Sequence, residues 1–159
     1  FYGPTFGETV HKAIAHVVLG QAPDAPAAVG MAVTLTGLDR NVEHAVEDVL
    51  RAHRALSDAG LLPDPGTTVR LEYPVALAEG GKILGGYIDF LALRADTLHL
   101  LDFKTDPPPA GDPGATYPAY VDQVRTYARI LAAVPALAGL TPRLGLLFTG
   151  DGRIREVAP

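Results

Sequence analysis

Val10, Ile14, Val17 and Val18 recur at helical spacing and predict a helix over residues 5–19 with one core-facing stripe. Gly20 ends it, and the run QAPDAPAAVG at 21–30 predicts a loop or flexible link. Asp39 reads as the N-cap of a second helix ending near Gly60, with Val42, Val46, Val49, Leu50 and Leu56 as its apolar stripe. Residues 61–66, LLPDPG, have the turn chemistry of a connector.

After Gly66 the period changes. Residues 68–77 predict a strand, Gly80-Gly81 a hairpin turn and 82–94 a second strand. Ala95-Asp96-Thr97 is a short turn into a third strand at 98–104, and links this short imply an antiparallel meander. The third strand is mostly apolar, as expected of a central position. The Pro- and Gly-rich run 107–118 predicts a long loop without regular structure, of the kind that often serves a neighbouring site. A helix at 120–134, a strand at 143–149, a turn at Gly150-Asp151-Gly152 and a short strand at 153–157 complete the chain. The expected fold is α/β, a mixed central sheet with an antiparallel meander flanked by helices, in a single domain over 1–159.

Composition narrows the chemistry. Of 159 residues, 48% are hydrophobic and 19% charged, which is globular rather than disordered composition. There is no cysteine, so thiolate zinc sites, iron–sulfur clusters and cysteine nucleophiles are excluded, and any metal must use oxygen or imidazole ligands. No apolar run approaches the roughly 20 residues of a membrane helix, and no signal peptide is visible. No membrane partner is expected, and the expected location is the cytoplasm. The opening Phe1-Tyr2-Gly3-Pro4 lacks an initiator methionine and reads as the interior of a longer chain. The formal charge of −5 is unusual for a nucleic-acid binder, which ordinarily carries a basic stripe against phosphates.

Within this frame Leu101-Asp102-Phe103-Lys104 stands out. Residues two apart on a strand share a face, so Asp102 and Lys104 sit side by side, roughly 6.6 Å apart, while Phe103 points into the core. Taken alone, this pair reads first as a strand-end ion pair. Asp89, in Gly86-Tyr87-Ile88-Asp89-Phe90, is another lone acid on the preceding strand, and a turn near 95–96 makes it a cross-strand neighbour of Asp102. Facing carboxylates repel and call for a cation; hard oxygen ligands select Mg2+, Mn2+ or Ca2+. Lys104 beside such a metal is placed to orient a water or stabilise a phosphate oxygen. Glu72, one strand earlier, is a possible third carboxylate or an ordinary exposed strand residue.

Four segments, in order, resemble the RecB-type nuclease domain of the PD-(D/E)XK class, found at the C-terminus of AddA-type helicase–nucleases. Gly7-Glu8-Thr9-Val10-His11 resembles its helical G-x-x-V-H motif, and Gly86-Tyr87-Ile88-Asp89 its G-x-I-D strand. Asp102-Phe103-Lys104-Thr105-Asp106 resembles its D-Y-K-T core, and Tyr120-x-x-Gln123-x-x-x-Tyr127 its following helix. The resemblance implies a restriction-endonuclease-like fold and a metal-dependent DNA exonuclease of repair and recombination, using Mg2+ or Mn2+. By the same resemblance Asp89, Asp102, the backbone carbonyl of Phe103 and His11 bind the metal. Lys104 is the catalytic lysine, and Glu72 matches the acidic position preceding the G-x-I-D strand. Gln123, Tyr127 and Tyr120 line the site and contact substrate.

Phe103 stands where tyrosine is common, which leaves a backbone role intact. Without cysteine the chain does not belong to the branch with an iron–sulfur staple. The implied partners are DNA and a helicase domain in the same parent chain or complex; a tether of that kind raises local DNA concentration and offsets the acidic charge. Read from the residues alone, two alternatives remain: a catalytically inactive nuclease-fold module that binds or guides DNA, and a structural interaction domain. His11 borders an apolar helix stripe and Tyr120 and Tyr127 can be core aromatics, so each also has a purely structural reading.

Overall fold

The computed structural model describes residues 2–159. Two compact units share the chain. One comprises the residues up to Pro63 with Phe103–Pro108 and Leu147–Ile154; the other comprises Asp64–Asp102, Pro109–Leu146 and Arg155–Pro159.

The first unit holds three helices. α1 (Pro4–Val18) begins on a proline, which needs no N–H partner there, and buries Phe6, Val10, Ile14 and Val18 at the expected spacing. α2 (Ala25–Thr36) occupies much of the stretch whose prolines predict a loop. Pro26 lies in its first turn, where proline is tolerated, and the Asp24 carboxylate caps it by accepting the Ala27 N–H at 2.9 Å. Its buried face, Ala25, Ala28, Val29 and Ala32, is made of small side chains that give little hydrophobic signal. α3 (Val42–Asp58) starts after Asn41 rather than Asp39. It buries Ala45, Asp48, Val49, Ala52 and Leu56, while Val42 and Leu50 are exposed; the true stripe is rotated from the one its bulky residues predict. α1 packs on α2 and α3, and α2 packs on α3.

The second unit holds the long hairpin of β1 (Thr67–Glu79) and β2 (Lys82–Arg94), joined at Gly80-Gly81 as expected. β2 pairs antiparallel with β3 (Thr97–Lys104), whose last two residues belong to the first unit. Beyond a one-turn helix α4 (Pro113–Thr116), inside the run predicted to be irregular, α5 (Pro118–Ala132) packs against β1. β4 (Thr141–Phe148) and β5 (Arg153–Val157) form the final hairpin, whose turn end, Leu147–Ile154, belongs to the first unit.

Among the described residues the strands form one five-stranded sheet in the order β1-β2-β3-β4-β5. The Thr141 N–H donates to the Asp96 carbonyl at 2.8 Å, and the Thr149 N–H to the Lys104 carbonyl at 2.9 Å. The two bonds have one common sequence offset, so β3 and β4 run parallel, and the segment containing α5 supplies the crossover a parallel pair requires. The fold is therefore α/β, an antiparallel meander plus one parallel pair with flanking helices. Leu100, Leu101 and Phe103 are all buried, so β3 is covered on both faces. Among the described residues no helix is long and apolar enough to cross a membrane.

Candidate functional site

The pairing registers align three acids. β2 sets Phe90 opposite Leu101 of β3, so one further step along the antiparallel ladder brings Asp89 against Asp102. β1 sets Leu71 opposite Phe90 and Tyr73 opposite Ile88, which places Glu72 opposite Asp89. The row Glu72, Asp89, Asp102 thus crosses three neighbouring strands. Exposure falls along it: Glu72 is exposed, Asp89 half-buried and Asp102 only 3% exposed. Glu72 has a left-handed backbone, φ 50, and the β1–β2 ladder is interrupted at its position. A glutamate there is strained, and strain of this kind is concentrated at functional sites.

The donor set determines which cation suits this row. Carboxylate oxygens are hard ligands, and Mg2+ in particular binds through one or two carboxylates while keeping several waters. Asp89 and Asp102 fit that pattern. Among the described residues no group of three or more His, Asp or Glu side chains is disposed to hold a metal ion.

Two close approaches tie together segments distant in sequence. A Cβ built on Gly7 would lie 3.2 Å from Thr105 Oγ1, so this glycine of α1 admits the chain just beyond β3. One turn further along α1, the half-buried His11 ring meets Phe103 edge-on, with centroids 5.8 Å apart. In the other unit a Cβ on Gly86 would come within 2.6 Å of Tyr127 Oη, so the glycine of the G-x-I-D segment is the seat of a tyrosine from α5. Gln123 Nε2 donates to the same hydroxyl at 3.2 Å, and Tyr127 is buried. Tyr120, half-buried, stacks on Tyr117 at 5.0 Å, a partner not singled out in the sequence.

Lys104 is half-buried at the end of β3, two residues beyond Asp102 on the same strand face. Its backbone is held by residues that motif reading overlooks. Thr149 donates its N–H to the Lys104 carbonyl at 2.9 Å, and the Thr149 hydroxyl donates to buried Asp48 at 2.6 Å. Arg51 pairs with Asp48 and donates from Nε to the Thr149 carbonyl at 2.9 Å. The one available signal was an acid within an apolar helix face, with an arginine three residues on.

No protein-family profile matches the chain, and no curated protein matches it. A solved structure, protein VC1899 from Vibrio cholerae, is similar at a TM-score of 0.41 and 14% identity. The match covers 99% of this chain and spans 43% of the length of that one.

Proposed function

We propose that this chain is a metal-dependent deoxyribonuclease domain that hydrolyses phosphodiester bonds as an exonuclease. The observation that supports it best is the row of acids in register across β1, β2 and β3, ending in buried Asp102 with Lys104 two residues on. In this reading Asp89 and Asp102 would hold Mg2+ or Mn2+, joined, as the resemblance implies, by the Phe103 carbonyl and by His11. Such an ion supplies Lewis-acid stabilisation of charge on the phosphate and lowers the pKa of a bound water. Lys104 donates hydrogen bonds to the attacking water or to a non-bridging phosphate oxygen, fixing the line of attack. Glu72 accepts a proton or orients water at the open end of the acid row. Gln123, Tyr127 and Tyr120, on one helix face, contact the substrate as the resemblance implies, with Gln123 donating to the Tyr127 hydroxyl.

The choice of DNA over RNA, the exonucleolytic mode, a cytoplasmic setting and a helicase partner rest on the resemblance alone. A domain carried by a DNA motor can tolerate a charge of −5, because the tether rather than a basic surface keeps it near DNA.

The experiment is degradation of linear single-stranded and duplex DNA with Mg2+, Mn2+ or chelator. Wild type is expected to cleave only with metal. Asp102→Asn and Lys104→Ala are each expected to lose about 100-fold or more in kcat while keeping their melting temperatures within a few degrees. Metal-independent cleavage, or wild-type rates in either variant, contradicts the assignment.

A further inference from the structure

Asp48 is a carboxylate only 5% exposed, on a helix whose other buried residues are apolar. A buried charge persists only when paired and hydrogen bonded, and both oxygens of Asp48 are engaged, Oδ1 by the Arg51 guanidinium and Oδ2 by the Thr149 hydroxyl. Thr149 itself is fully buried. Its Oγ1 lies 2.6 Å from Asp48 and 3.3 Å from the Lys104 carbonyl. The single hydroxyl proton therefore goes to the carboxylate, as a charge-assisted bond. Its carbonyl accepts from Arg51 and its N–H donates to the Lys104 carbonyl at 2.9 Å. Two residues one helical turn apart on α3 thus fix Thr149 through both side chain and backbone, and Thr149 in turn fixes the backbone of Lys104.

Only the Asp48 end of this ion pair is buried, the Arg51 side chain being 37% exposed, and a desolvated carboxylate is a poor way to add stability, because well-packed apolar residues serve as well or better. This one is spent on a position. Anchoring the Lys104 carbonyl fixes the peptide plane from which the side chain leaves β3, and a catalytic ammonium must be held within a fraction of an ångström to act. We infer that Asp48 and Thr149 are positioning residues for Lys104, aligning its ammonium through the backbone contact made from the end of the neighbouring strand β4. For catalysis this rests on the proposed nuclease reading; the positioning of Lys104 does not.

The test uses Thr149→Val, which keeps the branched shape and the N–H but removes the hydroxyl, and Thr149→Ser, which restores it. Lys104 is one of three lysines, with Lys12 and Lys82, so NMR of isotope-labelled dimethyl-lysines resolves it, with Lys104→Arg for assignment. Thr149→Val is expected to shift the Lys104 signal and leave those of Lys12 and Lys82 in place. On unmethylated protein it is expected to lower kcat by about 10- to 100-fold with KM for DNA nearly unchanged. Thr149→Ser is expected to return both readouts towards wild type. Should Thr149→Val fail to fold, Asp48→Asn, which keeps the shape and weakens the bond to the hydroxyl, must give the same pattern. An unmoved Lys104 signal in a folded variant overturns the inference, as does a loss of kcat that Thr149→Ser does not rescue. If wild type cleaves no DNA, the nuclease reading falls, and the Lys104 signal alone decides whether Thr149 positions that side chain.

Discussion

Burial lowers the pKa of His99, and the nearby guanidinium groups of Arg143 and Arg94 lower it further. Its folded pKa therefore lies below the unfolded value of about 6.5, and the unfolded chain binds the extra proton first as pH falls. The contribution to stability is complete above the unfolded pKa and is lost as pH drops through it towards the folded one. Urea unfolding between pH 8 and pH 5 is expected to show stability falling towards acid, with a shallower fall in His99→Gln. An identical pH slope in the two proteins would show that His99 titrates alike in both states. Asp102 is the opposite kind of residue, a buried acid beside a second acid, whose neighbours can be read from the chain because strand alternation and a short turn fix them. Asp48 could not be read that way: its partner Thr149 is 101 residues distant, and no local spacing reveals that contact.

The elements that could be read from the sequence are those with strict periods and short links. The hairpin at Gly80-Gly81 and the turn at 95–96 fix the register of β1, β2 and β3, and with it the alignment of Glu72, Asp89 and Asp102. α2 was hidden because its buried face is mostly alanine and its prolines fall where a helix start accepts them. α3 was misphased because Val42 and Leu50 face out, while alanines and Asp48 face in. Nothing in the sequence signals the left-handed backbone at Glu72. In a regular strand glycine is less stable than alanine by roughly 0.5–1 kcal/mol. At a left-handed position the order reverses, because a Cβ there costs about 1–2 kcal/mol. Denaturant unfolding is therefore expected to find Glu72→Gly more stable than Glu72→Ala by about 1 kcal/mol. The usual order, alanine above glycine, would mean that Glu72 lies in ordinary extended backbone in solution.

At the scale of the whole molecule, a net charge of −5 works against tight DNA binding, while carboxylates concentrated at one row favour a cation. The proposed metal ion is thus the feature on which the nuclease reading depends. A ligand that binds only the folded state at 100 times its dissociation constant stabilises by about 2.7 kcal/mol, so occupancy of a site formed by Asp89 and Asp102 is a large effect by the standards of a single domain. The most direct measurement is calorimetric titration of Mn2+ into wild type, Asp89→Asn and Asp102→Asn, each shown to be folded. Saturable binding is expected in wild type, with a loss of at least about tenfold in affinity, or about 1.4 kcal/mol, in each variant. No binding by wild type, or equal affinity in all three proteins, would contradict the nuclease reading.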